Sequence, residues 1–282
     1  MLASGLSFVW VNGIVRYLGT DLPAAQSAFI RFAWGALFLS PQLFAILRRG
    51  IPPKIWKLHL GRGVFHVAAV LMWFFAMARI PMAEVTAIGY LNPVLLTLGT
   101  ALFLGEKLAL RRILAIGVAL LGALIVLRPG LREVTQGHFS QVGAACCFAA
   151  SYLFAKRLST LVGAAQAVAV LSLLVTLGLA PLAAWVWVPV SLSQLLWLAV
   201  VAVCATSGHY CMSRAFALAP VTVTQPVVFL QLVWASLTGV FVFGEAFDPF
   251  VMLGGGVIVA SVTYITWREA VLRRKSPVSP SV

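Results

Sequence analysis

The sequence contains a long internal repeat, which limits the possible folds more than any other feature. The stretch from Met72 to Lys107 recurs as the stretch from Met212 to Ala246, with an offset of 139 residues from Ala76 onward. One offset persists along much of the 282-residue chain, which indicates two copies of one structural unit. The identical residues that it aligns include Ala76/Ala215, Ala78/Ala217, Pro81/Pro220, Leu98/Leu237, Gly105/Gly244, Glu106/Glu245 and Gly117/Gly256.

Composition indicates that the lipid bilayer is the solvent for these two units. Hydrophobic residues make up 62% of the chain, charged residues make up 10%, and the mean hydropathy is +1.02. Soluble domains have about a quarter of their residues charged, so this chain is expected to place much apolar surface in lipid. The net charge of +13 does not indicate nucleic acid, because the Lys and Arg residues lie between apolar segments, where they orient membrane helices. The four cysteines lie inside apolar segments and predict neither disulfides nor a metal site.

Ten apolar segments approach the length of about 20 residues that a membrane-spanning helix needs. Because five helices per copy is an odd number, the second copy must enter the membrane from the opposite side. The sequence therefore predicts an all-α integral membrane protein with ten transmembrane helices arranged as two inverted five-helix repeats. The predicted divisions are a first repeat at residues 1–127, a connector at 128–138, a second repeat at 139–267 and a basic tail at 268–282. The ten segments are Leu2–Leu18, Pro23–Leu47, Gly61–Ala78, Met82–Leu104, Ile113–Leu127, Phe139–Phe154, Gly163–Val186, Leu192–Ala217, Val221–Phe243 and Phe250–Ile265.

The basic residues predict the orientation of these segments. With the N-terminus in the cytoplasm, fifteen of the twenty Lys and Arg residues fall inside, four fall outside, and Arg31 lies within the second segment. This bias places both termini in the cytoplasm. Arg31 is expected either to reach the outer surface or to line a cavity. The first segment has no basic residue before it and is predicted to be a span rather than a cleaved signal peptide.

Polar side chains inside the spans are the candidates for a binding site. Hydrocarbon penalises them on the lipid face, and inverted repeats usually bind their solute near the bilayer midplane, where the halves meet. Aromatic walls with a few amide, hydroxyl and imidazole groups suit a small amphipathic solute. Simple hydrogen bonding between helices is an alternative role that stays open for each residue. The predicted cavity residues are Asn12, His66, Trp73, Met77, Thr86, Tyr90, Asn92, Tyr152, His209, Gln231 and Trp234.

The sequence also bears on how transport would be driven. It has no GxxxxGK[ST] stretch, so ATP is not expected to be the direct energy source. No acidic residue lies at the centre of a span, and Glu84, in the first turn of the fourth segment, is expected to be a helix-end residue. Facilitated transport is therefore favoured over proton antiport, with His66 and His209 as the candidate titrating groups.

Two other classes of protein fit the sequence less well. An intramembrane serine hydrolase would use Ser207 and His209, but residues two apart on a helix point to different faces. An ion channel usually has a carbonyl-rich or charged-ring filter, and the sequence has no such stretch. The chain is therefore predicted not to be an enzyme, to need no cofactor, and to have a small-molecule substrate and the lipid bilayer as partners.

Small residues predict close helix packing at the end of each repeat. They recur every four positions as Ala115, Ala119 and Ala123 in the fifth segment and as Gly256 and Ala260 in the tenth. Such faces let helices approach closely. They are expected either to brace the two halves of a monomer or to form a dimer contact, and a large side chain at Gly256 is expected to destabilise the protein.

The repeated segments resemble those of a known group of proteins. In each copy the fourth helix begins near a proline and ends in a glycine-glutamate pair, within Phe103–Lys107 and Val242–Ala246. With Arg31 in the second segment and Asn92 in the fourth, the chain resembles the drug/metabolite transporter superfamily. More narrowly it resembles the ten-helix EamA-type exporters, and it is similar to YddG-like amino-acid exporters.

This resemblance implies that the protein exports small metabolites across the bacterial inner membrane by alternating access. Amino acids, including aromatic ones, are the solutes that it implies first, and transport would be facilitated or weakly coupled. A proton-coupled drug exporter or exchanger of the same superfamily is the alternative within this group. A single chain already holds both halves, so the resemblance permits a monomer and does not exclude a dimer.

Overall fold

The computed structural model describes residues 2–92, 94–95, 98–99, 110–128, 133–158, 161–218 and 230–275. The described residues form helices joined by turns and loops, and no strand occurs among them, which confirms the all-helical fold class for this part of the chain. The helices are α1 (Leu2–Leu18), α2 (Ala24–Phe38), α3 (Ser40–Arg49), α4 (Pro53–Met77), α5 (Met82–Gly89), α6 (Leu110–Leu127), α7 (Gln136–Leu158), α8 (Ala164–Trp185), α9 (Leu192–Leu218), α10 (Leu230–Phe243) and α11 (Pro249–Lys275). The Gly105-Glu106 pair of the first copy lies outside the described residues.

Proline and glycine set several helix boundaries. Pro81 immediately precedes α5, while Pro53 and Pro249 open α4 and α11, where a backbone N–H has no partner within the helix in any case. Gly19 and Gly244 follow the ends of α1 and α10 with φ angles of 58° and 64°. This left-handed conformation is strained for other residues, so glycine lets the chain turn sharply at the end of each of these helices.

Length and composition identify two helices that can each cross a membrane by themselves. Among the described residues these are α4 and the Ala165–Trp185 part of α8. A third span results if α2 and α3 are counted as one bent pair. Five shorter apolar helices accompany them, at Leu2–Leu18, Ile113–Leu127, Leu192–Gly208, Gln231–Phe243 and Pro249–Tyr264. The complete set of ten spans stays a prediction.

The second apolar segment is not one straight helix. The sequence predicts a single helix over Pro23–Leu47, whereas α2 and α3 meet at Leu39 with their axes 71° apart. Pro41 lies in the first turn of α3, and a proline there cannot continue the hydrogen-bond ladder of α2. None of the residues of α3 is buried, and its last turn is basic. These features are typical of a helix that lies along a membrane surface.

Two sets of five helices make matching contacts. The helices of the first set correspond, in order, to those of the second: α1 to α7, α2 to α8, α4 to α9, α5 to α10 and α6 to α11. The packing of α4 on α7 corresponds to that of α9 on α1, and the packing of α2 on α9 corresponds to that of α8 on α4. In the same way, α5 packs on α7 as α10 packs on α1. Three helices pack on their own counterparts, namely α2 on α8, α5 on α10 and α6 on α11. Contacts between the two halves of the chain therefore extend through the bundle.

The helices α6 and α11 approach closely at Gly122 and Gly254. A Cβ atom added at Gly122 would lie 2.8 Å from the carbonyl oxygen of Gly254, and one added at Gly254 would lie 2.5 Å from that of Gly122. Ala119 on the same side of α6 is fully buried. The expected packing role of Gly256 is wrong, because it is exposed and an added Cβ atom would meet nothing within 4 Å.

We expect Gly122→Ala to lower the free energy of unfolding by about 1–3 kcal/mol, because the added methyl group overpacks against a backbone carbonyl. Thermal unfolding of the protein in detergent measures this change. Gly117→Ala is a matched control on the same helix, since its methyl group meets nothing within 4 Å and improves helix propensity. Equal unfolding temperatures for the two variants would contradict the crossing of α6 and α11 described above.

Candidate functional site

One face of α4 carries a line of polar and aromatic side chains into the bundle. His59, Arg62, His66 and Trp73 follow one another at intervals of three, four and seven residues, which keeps them on one side of an α-helix. The first three are buried, and Trp73 is half-buried. Because α2, α7 and α8 all pack against α4, this line of side chains faces other helices.

His66 joins α4 to the second half of the chain. Its Nδ1 atom lies 3.1 Å from the hydroxyl oxygen of Ser151 on α7. Edge-on contacts with Phe32 and Phe148 surround the imidazole, with ring centroids 5.9 Å and 5.3 Å away. Tyr152 stacks on Phe148 at a centroid distance of 6.2 Å. Two predicted cavity residues, His66 and Tyr152, thus lie beside two phenylalanines that sequence reasoning did not include.

The remaining predicted residues are spread over several helices. Asn12 on α1, Met77 on α4 and Tyr90 at the end of α5 are buried. Thr86 is buried as well, and its hydroxyl group donates to a carbonyl one turn earlier in its own helix, at 2.9 Å. Tyr90 hydrogen-bonds to the backbone of Leu232, so it connects α5 to α10. These contacts suit helix packing as well as they suit a cavity.

Three further predicted residues are less enclosed. Asn92 and Gln231 are half-buried, and Trp234 on α10 is 40% exposed. The side chain of His209 lies outside the described part of the structure. Arg31, on α2, is half-buried, and its guanidinium carbon lies 3.9 Å from the ring centroid of Phe32, at cation–π distance. A common cavity formed by the whole predicted set stays a prediction.

The Glu245 carboxylate joins three chain segments at one end of the bundle. Its Oε2 atom accepts a hydrogen bond from the Met82 N–H at 3.0 Å, and its Oε1 atom forms an ion pair with Arg16 at 2.9 Å. Arg16 also donates to the carbonyl oxygen of Met77 at 3.3 Å. Glu245 therefore ties the end of α10, in the second half, to the end of α1 and the α4–α5 turn, in the first half.

The glycine-glutamate pair explains how the carboxylate reaches this position. Gly244 has a left-handed φ of 64°, and the next residue, Glu245, donates its N–H to the carbonyl oxygen of Gly239 at 2.9 Å. A Cβ atom added at Gly239 would lie only 2.5 Å from Glu245 Oε2. A left-handed glycine after α10 and a second glycine inside it thus let the glutamate fold back over its own helix.

A second buried pair forms between Glu84 and His138, with 2.7 Å between Glu84 Oε2 and His138 Nε2. The Thr135 N–H donates to His138 Nδ1 at 3.0 Å. Because Nδ1 accepts a hydrogen bond, the neutral imidazole carries its proton on Nε2 and donates it to the carboxylate. Glu84 lies in the first turn of α5, as expected, but it is also buried, at 3% exposure. Sequence reasoning missed His138, because it lies at the edge of a polar connector.

These pairs lie at the same end of the bundle, which we call the paired end. Its ion pairs are Arg16 with Glu245 and Arg128 with Asp248, and its hydrogen-bonded pair is Glu84 with His138. The pocket between Glu84 and Glu245 has room for about one water molecule and for no larger solute. The described part of the paired end is therefore closed in this structure. No group of three or more potential metal ligands occurs among the described residues.

The sequence model of the EamA-like transporter family matches residues 1–128 and residues 135–267 of the chain. The chain belongs to the EamA-like transporter family. It is therefore a multi-pass membrane protein from a family of transporters, and the resemblance drawn from the repeated glycine-glutamate endings is confirmed.

Individual relatives support the transport of small metabolites. The chain is 29% identical to a riboflavin transporter of Vibrio cholerae, over 98% of this chain and 94% of the relative. It is 28% identical to a pseudopaline exporter of Pseudomonas aeruginosa, over 93% and 92% of the two chains. It is 24% identical to an S-adenosylmethionine uptake transporter of Rickettsia felis, over 90% and 86%. These relatives are named for three different solutes, and none of the three names is an amino-acid exporter.

A solved structure shares the fold. A crystal structure of a protein with 19% sequence identity aligns over 98% of each chain, with a TM-score of 0.60. At this level of identity the match shows a common fold and carries no information on the solute.

We expect Glu245→Gln to loosen the paired end, because the amide still accepts from the Met82 N–H but no longer carries the charge that attracts Arg16. The readout is the labelling of Ser151→Cys by a membrane-impermeant maleimide on intact cells, in a protein whose four native cysteines are replaced by alanine. If the variant lowers the free energy that favours the closed paired end by about 1–2 kcal/mol, the labelling rate rises by about 5- to 30-fold.

Glu133→Gln is the control for this experiment, because it removes an exposed carboxylate from the connector. It should leave the labelling rate unchanged. Equal labelling in the Glu245→Gln variant and in its parent would mean that the Arg16 ion pair does not hold this end closed.

Proposed function

We propose that the protein is a bacterial inner-membrane carrier that moves a small metabolite by alternating access between two inverted five-helix halves. The halves are residues 1–127 and 139–267, joined by the connector at 128–138 and followed by the basic tail at 268–282, with both termini in the cytoplasm. The observation that carries this proposal is the Glu245 contact, which crosses from one half to the other at a closed end. The two family matches and the matched packing pairs support the same division.

Alternating access requires contacts that form in one state and break in the other. The Arg16–Glu245 and Glu84–His138 pairs are the candidates for such contacts, because Arg16–Glu245 joins the two halves and Glu84–His138 joins the first half to the start of α7. The distribution of basic residues assigns the paired end to the outer face of the membrane. On this assignment the structure is closed to the outside, and opening outward exchanges the contacts within these pairs for contacts with water.

The side chains around His66 favour an amphipathic solute that contains a ring. Phe32, Phe148 and Tyr152 offer apolar ring faces, while His66 and Ser151 offer an imidazole and a hydroxyl group. Polar groups of this kind replace part of the water that a solute loses at the midplane, a loss that would otherwise cost several kcal/mol. Amino acids, including aromatic ones, and the solutes named for the relatives are the candidates that follow.

Counterflow of labelled solutes in proteoliposomes tests this proposal. Uptake that saturates and is accelerated by the same solute on the other side identifies a carrier, whereas linear conductance would identify a channel and product formation would identify an enzyme. His66→Ala removes an imidazole bonded to Ser151, and we expect it to reduce flux by about 5- to 30-fold, as a loss of 1–2 kcal/mol implies.

Leu120→Ala is the matched control for His66→Ala, because Leu120 is 46% exposed on the outside of α6. It should leave both flux and thermal stability near those of the parent protein. Normal flux in His66→Ala together with reduced flux in Leu120→Ala would move the proposed path away from this cluster.

A proton-coupled exporter is the second candidate, and the Glu84–His138 pair favours it. Glu84 is a buried carboxylate, and its contact with His138 is one that opening of the paired end would break. Facilitated transport stays our first proposal, because Glu84 and His138 lie at the paired end and not among the side chains around His66.

An imposed pH gradient distinguishes the two candidates. For facilitated transport, we expect that the gradient does not concentrate the solute in proteoliposomes and that Glu84→Gln keeps counterflow largely intact, because no proton moves with the solute. Gradient-driven accumulation that disappears in Glu84→Gln would establish the proton-coupled alternative instead. His138→Gln serves as a companion variant, since it keeps a donor toward Glu84 without an imidazole.

A further inference from the structure

Two basic side chains of α4 are buried at the end of the bundle opposite the paired end. His59 is 1% exposed, and neither of its ring nitrogens has a hydrogen-bond partner. Arg62 is 9% exposed; one terminal nitrogen donates to the carbonyl oxygen of Ala167 at 3.1 Å, while its Nε atom has no partner. We call His59 and Arg62 the buried bases.

In the part of the chain that the structure describes, no acidic group balances the buried bases. Among the described residues, no carboxylate forms an ion pair with either side chain. The nearest charged residues along α4 are Lys54 and Lys57, which are also basic and are exposed. The positive charge of the site therefore comes from Arg62, and the site also offers an Arg62 N–H and both ring nitrogens of His59 without partners.

A buried cation without a counter-charge is unfavourable, and proteins rarely keep one without a reason. The planar guanidinium of Arg62 matches a carboxylate or phosphate group, which it can bind through two parallel hydrogen bonds. The site is also next to the side chains around His66, since Arg62 and His66 lie one turn apart on α4 and His66 contacts Phe148, on which Tyr152 stacks. An anion held here would lie next to a wall of aromatic rings.

We propose that the buried bases, together with Tyr152, bind an anionic group of the transported solute. The solute is then a small metabolite that carries a carboxylate or a phosphate at one end and an apolar or ring-containing part at the other. The anionic end lies against Arg62 and His59, and the ring-containing part lies against Phe148 and Phe32. This inference rests on the proposed carrier function and names the chemical class of its substrate.

Thermal unfolding with matched pairs of solutes tests this proposal directly. The pairs are riboflavin 5′-phosphate with riboflavin and tryptophan with tryptophanamide, with inorganic phosphate as a minimal anion, all added to the protein in a neutral detergent. We expect the anionic member of at least one pair to bind about tenfold or more tightly than its partner, in line with hydrogen bonds to charged groups. A panel in which no anion stabilises the protein more than its neutral partner overturns the proposal.

Arg62→Met and Lys57→Met are the matched variants, since both replace a base by methionine on the same helix. We expect the preference for the anion to disappear in Arg62→Met and to persist in Lys57→Met. The unfolding temperature without solute gives a second readout, which should not fall in Arg62→Met, because a cation without a counter-charge has been removed. A preference that survives in Arg62→Met, or a large loss of ligand-free stability there, assigns Arg62 a structural role and contradicts the proposal.

The phosphate of an anionic lipid could also bind to Arg62, and a further experiment distinguishes it from a soluble anion. Phosphatidylglycerol is added to the detergent micelles in place of the solutes. Stabilisation by phosphatidylglycerol that requires Arg62, with none from the soluble anions, identifies a lipid site and contradicts a substrate site.

Counterflow then separates this inference from the carrier proposal. If the two members of each solute pair show equal counterflow, both in the parent protein and in Arg62→Met, the carrier proposal stands and the anion-site proposal is contradicted. If a soluble anion stabilises the protein only when Arg62 is present, but no solute shows counterflow, the anion-site proposal stands and the carrier proposal is contradicted.

Discussion

Polar groups that a membrane bundle removes from water need partners inside the protein, and the Glu245 carboxylate meets this need for two segments at once. It accepts from the N–H of Met82, which begins α5 and has no partner within its own helix. It also neutralises Arg16 at the end of α1. One side chain thus completes a helix N-terminus and pairs a cation, so the positions of α1, the α4–α5 turn and α10 depend on each other.

Local patterns in the sequence predicted much of this arrangement. The repeated glycine-glutamate pair marked the end of α10, because a left-handed residue after a helix favours glycine, and Gly244 has that conformation. The face of α4 that carries His66 and Trp73 followed from spacing alone, since it depends only on the period of a helix. The partners of Glu245 were not predictable, because Arg16 and Met82 come near it only when the two halves pack together.

Tertiary packing decided the points on which the sequence was misleading. Gly254 and Gly256 are equally small, and the spacing of small residues favoured Gly256 because Ala260 follows it four positions later. A helix turns about 100° per residue, so positions two apart point about 200° apart and only one of them can face α6. Contacts with other helices fix that rotation, and they turn Gly254 inward. His138 was missed for a similar reason, since its role depends on Glu84, which is distant in the sequence.

Among the described residues, charged groups form ion pairs at one end of the bundle and Arg62 forms none at the other, and this difference bears on how a solute would drive the conformational change. At the paired end, Arg16 and Arg128 each have a carboxylate partner. At the other end, Arg62 is buried, and it has no carboxylate partner among the described residues. A ligand shifts a conformational equilibrium only by its differential affinity for the two states. If the solute supplies the missing anion, it strengthens the contacts of α4 with α7 and α8 at that end and contributes nothing to the paired end. Binding of the anion would then favour closure at one end and permit the ion pairs at the other to separate.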